Sequence, residues 1–260
     1  MNAVVTLAIG SQGKEFLDVS GPIMAAYARR IGSEFIVISE HKVLIPYASV
    51  YPYDMDKLQV VDILRNHERV VFMDADILVT PKCPDIFADL GDPEYIGWTG
   101  RYDQYQADWL RTDMRTWGYK GNFDTSVDGG WVAGGMFVMS QCHHNVLNMC
   151  LWMRNAQAWG CIEPLMHFVT RSMWPKIKRL DPRYNHTFMG YEPSVETYVT
   201  GNIHRRLYDA ALKQGCDLRT AWKDAYTVHY TNAALTVTQR VQYMQDGITY
   251  FYGRERMEVI

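Results

Sequence analysis

Two aspartates, Asp74 and Asp76, stand one residue apart in an otherwise apolar run, VVFMDADILVT (70–80). Residues two apart on a strand point to the same face, so the spacing predicts two adjacent carboxylates. Such a pair resists burial unless a divalent cation binds it, and oxygen ligands favour Mg2+ or Mn2+. The pattern therefore predicts a metal site at a strand end. The alternative is that Asp76 caps a turn and Asp74 pairs with Arg69 or Lys82.

The elements that must position this pair alternate along the first part of the chain. Apolar runs at 3–10, 34–40 and 69–79 predict buried strands. A helix is predicted at 20–32, where serine and proline mark the start and glycine the end, and another at 53–68. This alternation predicts an α/β fold with a mostly parallel central sheet flanked by helices. Ligands of such sheets collect at the carboxyl ends of the strands.

The rest of the chain is less regular. Further strands are predicted within 92–100, 129–140, 176–185 and 225–232, and helices at 144–159 and 163–174. The segment 101–130 is polar and rich in tryptophan and tyrosine. Its rings either stack on a bound sugar or pack on the core.

Composition excludes several classes of protein. The chain is 48% hydrophobic with a net charge of −3, so it can bury a large core and lacks the strong positive charge of a nucleic-acid binder. Its five cysteines show no zinc spacing, which favours reduced thiols in a cytoplasmic protein. We expect no signal peptide, and no apolar run approaches the roughly 18 residues of a membrane span. The oligomeric state is left open.

The stretch KLQVVDILRNHERVVFMDADILV (57–79) resembles the hallmark of glycosyltransferases with the GT-A fold. The resemblance is strongest to family eight, the glycogenin and galactosyltransferase-like enzymes. Four further stretches resemble that family's landmarks in the same order: VVTLAIG, AGGMFVMS, CIEPLMHF and VHYTN. Tyr184 and Asn185 stand where the family often has the same pair.

The resemblance implies a single GT-A domain over 1–260, with a nucleotide-binding half at 1–100 and an acceptor and sugar half at 101–260. The second half would include a smaller acceptor-side subdomain. The implied activity is metal-dependent transfer of a hexose, with retention, from a nucleotide sugar to a hydroxyl acceptor such as a carbohydrate. The implied donor is a UDP-sugar and the implied metal is Mn2+ or Mg2+.

The resemblance also implies site residues. The metal ligands would be Asp74, Asp76 and His229, and the catalytic residues Asp76 and Glu163. The donor-binding residues would be Leu7, Ala8, Ile9, Lys57, Asp74, Ala75, Asp76, Gly134 and Gly135. Leu7, Ala8 and Ile9, with Phe16 nearby, would surround the uracil.

Each further role has a plainer alternative. Lys57 would approach the donor phosphates or brace a carboxylate, or would be a surface charge. The two glycines would leave room for the sugar or form a bulge. Glu163 would lie under the reactive sugar carbon or only begin a helix. Without the resemblance, a single histidine beside a strand, such as His229, would more often be a structural residue than a metal ligand.

The chain also departs from the family pattern. Ala133 replaces an asparagine, Pro164 replaces a glutamine, and no lysine follows His229, where the family places a phosphate ligand. The candidate substitutes are Arg240, Lys14 and Asn232. These departures leave the donor and the stereochemistry open. An inverting enzyme would need a carboxylate base, for which Asp124 and Asp128 are candidates.

Three other functions compete. A nucleotidyltransferase acting on sugar phosphates would have a glycine-rich loop after the first strand, which GSQGKEF (10–16) faintly resembles. A phosphatase with a nucleophilic aspartate is disfavoured, because it would place its motif earlier in the chain and another residue type at Leu78. A catalytically inactive relative that binds sugar nucleotides is the non-enzyme alternative.

Overall fold

The computed structural model describes residues 1–45, 53–101, 131–154, 162–174, 176–181, 183–187, 224–230 and 235–253. The aromatic segment predicted to contact the acceptor lies outside the described residues, apart from Arg101. The base candidates Asp124 and Asp128 and the phosphate candidate Asn232 also lie outside them. The roles predicted for these residues stay predictions.

The described residues form two sheets and several helices. In chain order the strands are β1 (Ala3–Leu7), β2 (Glu34–Ile38), β3 (Arg69–Asp74), β4 (Ile77–Val79), β5 (Ile96–Arg101), β6 (Trp131–Ser140), β7 (Ile177–Arg179), β8 (His186–Thr187) and β9 (Thr227–His229). The α-helices are α1 (Gly10–Arg30), α2 (Val60–Ile63), α3 (Ile86–Leu90), α4 (His144–Met153), α5 (Ile162–Met173) and α6 (Val237–Tyr252). Short 3-10 helices span Asp54–Gln59 and Gln141–His143.

The central sheet has the strand order β2-β1-β3-β6-β5-β7. β1 is parallel to β2 and β3, β6 is antiparallel to its neighbours β3 and β5, and β7 is parallel to β5. Five of the six strands therefore run the same way, which confirms the predicted mostly parallel α/β fold. A second sheet has the order β4-β9-β8.

Alternating residues of the central strands enter two cores. Val71 and Met73 of β3 pack with residues of α1 and α6, whereas Val70 and Phe72 pack with residues of α2, α4 and α5. A strand covered on both faces needs apolar residues at every position, and this accounts for the continuous apolar runs of β1 and β3.

The first helix is longer than predicted. α1 begins at Gly10 rather than near Ser20, and Pro22 lies inside it. Phe16, Ser20 and Ile23 recur at helical spacing and are buried, so packing extends the helix back across the serine and proline start signals. Pro22 leaves the Asp18 carbonyl without its helical donor, but Asp18 is exposed to water. GSQGKEF is therefore helical and not a phosphate-binding loop.

Two other predicted elements are broken in the structure. The predicted helix at 53–68 is a 3-10 helix followed by the single turn of α2. The predicted strand at 69–79 ends at Asp74, and the chain resumes as β4 in the other sheet.

The described cysteines, Cys83, Cys142 and Cys150, are free thiols. Across the described residues, no helix combines the length and apolarity that crossing a membrane requires.

Candidate metal and donor site

The paired aspartates lie at a strand end and in the turn that follows it. Asp74 is the last residue of β3, Ala75 and Asp76 form the turn, and Ile77 begins β4. The prediction that both carboxylates share one face of a continuous strand is therefore wrong. They meet because the chain turns between them. Ala75, predicted to bind the donor, has a side chain buried in the core.

The turn is held to the first helix by a buried serine. The Ser20 hydroxyl lies 2.6 Å from the Ala75 carbonyl oxygen and 3.1 Å from the Phe16 carbonyl oxygen, and can donate to either. The bond to Ala75 joins α1 to the backbone between the two aspartates. Sequence reasoning missed this role, because a serine inside a helix has no local signal for a contact 55 positions away.

Strand pairing brings His229 to the same place. β9 is antiparallel to β4 with His229 opposite Ile77, the residue after Asp76. The backbone N–H of Tyr230 donates to the Asp76 carbonyl at 2.9 Å. The imidazole Nε2 then lies 3.1 Å from Asp76 Oδ1 and 3.8 Å from Asp74 Oδ2.

These three residues fit a metal ion. One ligand atom from each of Asp74, Asp76 and His229 lies within 4.8 Å of the others. Two carboxylates and an imidazole suit a divalent ion such as Mn2+. Three protein ligands would leave positions open for phosphate oxygens or water. The structure thus brings together the three residues predicted as ligands.

Lys57 braces the cluster from behind. Its Nζ lies 2.9 Å from Asp74 Oδ1, 2.8 Å from Asp54 Oδ1 and 3.3 Å from the Gly134 carbonyl oxygen. Burial by itself would lower the pKa of the ammonium, but the two carboxylates raise it above its ordinary value. Of the predicted roles, the structure supports bracing of a carboxylate, and the surface-charge alternative is wrong because Lys57 is buried.

Sequence reasoning did not single out Asp54. Besides its ion pair with Lys57, its Oδ2 accepts a hydrogen bond from the backbone N–H of Ile162 at 2.5 Å. This bond ties the start of α5, where Glu163 lies, to the Lys57 and Asp74 pair. The only available signal was the spacing of Asp54 and Lys57, three residues apart in a helical turn.

The two glycines of β6 make room for site side chains. A Cβ at Gly135 would lie 2.4 Å from His229 Cε1 and 3.1 Å from Asp74 Oδ2. A Cβ at Gly134 would lie 2.8 Å from Glu163 Cγ. The space predicted for the sugar is thus occupied, next to each glycine, by a protein side chain.

Glu163 lies in the first turn of α5, beside the metal cluster. Its Oε1 accepts a hydrogen bond from the Gly134 N–H at 2.7 Å, one residue from the glycine that contacts His229. Pro164 follows in the same turn, where its missing N–H has no helical partner to lose. The bond to Gly134 places the Glu163 carboxylate against the β6 residue that precedes Gly135, which packs on His229.

Arg240 is the predicted phosphate candidate that lies at the site. It follows the Thr236 cap of α6, its guanidinium forms an ion pair with Asp76, and its Nε donates to the Tyr230 carbonyl at 2.7 Å. The guanidinium carbon is 4.4 Å from the centre of the Phe16 ring. Lys14 is an exposed residue of α1. The Arg240 guanidinium covers the ring of Phe16, the residue that was predicted to lie near the uracil.

The residues predicted to hold the base lie at the same edge of the sheet. Leu7 is paired with Asp74 in the β1–β3 register, and the buried Ala8 and Ile9 follow it. Contact with a base stays a prediction.

The alternative pairings predicted for Asp74 are wrong. Arg69 donates to the backbone carbonyls of Phe87 and Gly91, and Lys82 pairs with Asp224.

We expect Ser20→Ala to lower the free energy of unfolding by about 1–2 kcal/mol, because the Ala75 carbonyl loses a buried donor. Urea denaturation measures the change. The matched control is Ser33→Ala, which removes a buried hydroxyl that has no partner among the described residues. The control should change stability by less than about 0.5 kcal/mol. Equal losses in both variants would contradict the role given to Ser20.

Comparison with known proteins identifies solved structures that share the fold at low sequence identity. No family model matches the sequence, and no curated protein matches it. A solved glycosyltransferase involved in glycosylation of the major capsid of PBCV-1 superposes with a TM-score of 0.59 at 12% identity. The match covers 94% of this chain and 98% of that one.

A second solved structure, the WbbM bifunctional glycosyltransferase, superposes with a TM-score of 0.52 at 10% identity. That match covers 89% of this chain and 46% of the other, so this chain spans less than half of WbbM. Identities this low show a shared fold. The mostly parallel α/β fold of this chain is the GT-A fold of these glycosyltransferases.

Proposed function

We propose that this protein is a glycosyltransferase that moves a hexose from a UDP-sugar to a hydroxyl acceptor such as a carbohydrate, with a divalent ion and with retention. The observation that carries the proposal is the convergence of Asp74, Asp76 and His229 at the end of β3, braced by Lys57 and bordered by Glu163. The shared fold adds support, as does the resemblance to family eight. We assign the metal role to Mn2+ or Mg2+.

We assign different parts of the substrates to the two halves of a single domain. Residues 1–100 supply Lys57 and the aspartate pair, and we assign them nucleotide binding, with the base near Leu7, Ala8 and Ile9. Residues 101–260 supply Glu163, His229 and Arg240, and we assign them the sugar and the acceptor. The cytoplasmic location stays a prediction from the cysteines.

The chain's own residues would act by holding charge and geometry. Asp74, Asp76 and His229 would hold the ion, which when bound neutralises charge developing on the departing diphosphate. Lys57 holds the Asp74 carboxylate in place through a buried ion pair. Glu163 would face the sugar, where a negative charge stabilises positive charge developing at the anomeric carbon. The acceptor hydroxyl would be placed against that carbon by residues of the second half.

The test is release of UDP from a panel of UDP-hexoses, measured with Mn2+ and with a chelator. Metal-dependent release supports the proposal, and NMR of the product reports retention or inversion. Release of pyrophosphate from UTP and a sugar phosphate would instead identify a nucleotidyltransferase. Tight metal-dependent binding without turnover on any donor and acceptor pair would identify an inactive relative.

For Glu163→Gln we expect turnover to fall about 100- to 1000-fold with unchanged Mn2+-dependent affinity for UDP, because a lost electrostatic stabiliser costs about 2.7–4 kcal/mol of the barrier. The amide oxygen of glutamine can still accept from the Gly134 N–H, so the start of α5 should hold. Initial rates and calorimetric UDP binding measure the two effects. Equal loss of UDP affinity would show that Glu163 only organises the site.

A further inference from the structure

Arg240 neutralises the carboxylate that the metal needs. Its guanidinium pairs with Asp76 Oδ2, while Asp76 Oδ1 faces His229 Nε2 at 3.1 Å. The side chains of Arg240 and Asp76 are only 13% and 10% exposed. Water therefore screens this pair weakly, and a divalent ion on Asp76 would face strong repulsion from the guanidinium.

Each aspartate of the pair thus has its own protein cation, but the two cations are held differently. Lys57 is held by Asp54, Asp74 and the Gly134 carbonyl, and its side chain is 9% exposed. Arg240 reaches Asp76 along a side chain that lies over the Phe16 ring, from the N-terminal part of α6. Its Nε also donates to the Tyr230 carbonyl. Arg240 can therefore move off Asp76 without breaking the bracing of Asp74.

The diphosphate of a donor is a suitable second partner for this guanidinium. A diphosphate on the metal would bring its negative oxygens next to Asp76, within reach of a side chain that already touches that carboxylate. The planar fork of arginine matches phosphate oxygens, and the N-terminal part of a helix also favours an anion.

We propose that Arg240 is an exchangeable cation: it pairs with Asp76 while the metal is absent and transfers to the donor diphosphate when metal and nucleotide are both bound. This inference rests on the proposed function and deepens it. The consequence is joint binding. Mn2+ alone binds weakly because it must displace Arg240, and the diphosphate offsets that cost by accepting the guanidinium.

Arg240→Gln should change two affinities in opposite directions. Without nucleotide, Mn2+ should bind about tenfold more tightly, because no guanidinium competes for Asp76. With Mn2+ saturating, UDP should bind about tenfold more weakly, because the diphosphate loses a cation. Mn2+ increases the affinity for UDP, and this increase should be about tenfold smaller in Arg240→Gln. By thermodynamic reciprocity, the increase in Mn2+ affinity that UDP causes should be smaller by the same factor.

Titration of free Mn2+ by electron paramagnetic resonance and calorimetric titration of UDP measure both affinities on the full chain. The matched control is Arg65→Gln, which removes the same charge from an exposed pair with Asp62 and should change neither affinity. Arg240→Lys keeps the charge without the fork, so both affinities should lie between those of wild type and Arg240→Gln. This variant tests the proposal if the glutamine variant does not fold.

The measurements distinguish a failure of the Arg240 exchange from a failure of the proposed function. If wild type binds UDP with Mn2+ and turns over a UDP-sugar, but Mn2+ affinity does not rise in either Arg240 variant, the exchange is refuted and the proposed function stands. If wild type shows no Mn2+-dependent binding of UDP, the proposed function fails first. A rise in Mn2+ affinity with unchanged UDP affinity would also refute transfer of Arg240 to the diphosphate.

Discussion

Asp76→Asn is expected to reduce UDP-sugar turnover at least about 1000-fold, which corresponds to about 4 kcal/mol of lost barrier stabilisation. The substitution preserves the shape of the side chain but removes the charge that faces both His229 and Arg240. Mn2+-dependent affinity for UDP should fall about 100-fold, since the site loses a negative ligand. Initial rates with Mn2+ and calorimetric titration of UDP measure the two losses.

The fold should survive this change, although the variant leaves Arg240 facing a neutral amide. Circular dichroism and thermal melting check that the protein is folded. The control is Asp62→Asn, which removes the same charge from an exposed pair with Arg65 and should leave turnover unchanged. Mn2+-dependent UDP binding of wild-type strength in folded Asp76→Asn would remove the basis of the metal assignment.

Gly135→Ala should disable the site by steric means. The added Cβ would lie 2.4 Å from His229 Cε1, closer than non-bonded carbon atoms approach, so the imidazole must move. His229 cannot retreat easily, because β9 is paired with β4 on one side and β8 on the other. We expect the free energy of unfolding to fall by about 1–3 kcal/mol, as in other overpacked interiors. Mn2+ affinity should fall about 100-fold, because the ring leaves Asp76.

Two comparisons isolate the cause. Gly97→Ala in β5 also meets a close neighbour, at 3.0 Å, but that neighbour is the end of the Leu90 side chain, which can shift. This control should lose less stability and keep its Mn2+ affinity. In a His229→Ala background, Gly135→Ala should cost less stability than it does alone, because the clashing ring is gone. The same cost in both backgrounds would show that the clash is not with His229.

Local patterns in the sequence were enough to predict the central sheet and the pair of aspartates at its edge. The apolar runs of β1 and β3 are strands because each must fill the space between covering helices, and this requirement is visible in a short window. The aspartate pair in an apolar run indicated a metal site for a similar reason: charge at the end of a buried strand needs a partner. The assignment of His229 as a third ligand came from the resemblance to family eight, and the spacing along the chain did not provide it.

Local patterns failed where distant packing decided the structure. Serine and proline inside α1 were interpreted as a helix start, because the burial of Phe16 and Ser20 against distant residues cannot be seen in the neighbouring sequence. The aspartates were predicted on one strand, although the chain turns between them and enters a second sheet. Both errors concern residues whose conformation is set by partners far along the chain.

The sequence by itself determined which strands are buried and where negative charge would collect. Only the tertiary structure decided what surrounds that charge. The register of β4 with β9 places His229 beside Asp76, the packing of α6 on α1 brings Arg240 to the same carboxylate, and the start of α5 is tied to Asp54. Each of these contacts joins residues about 100 or more positions apart. Such contacts depend on the folding of the whole chain, since their energy is realised only when distant elements pack together.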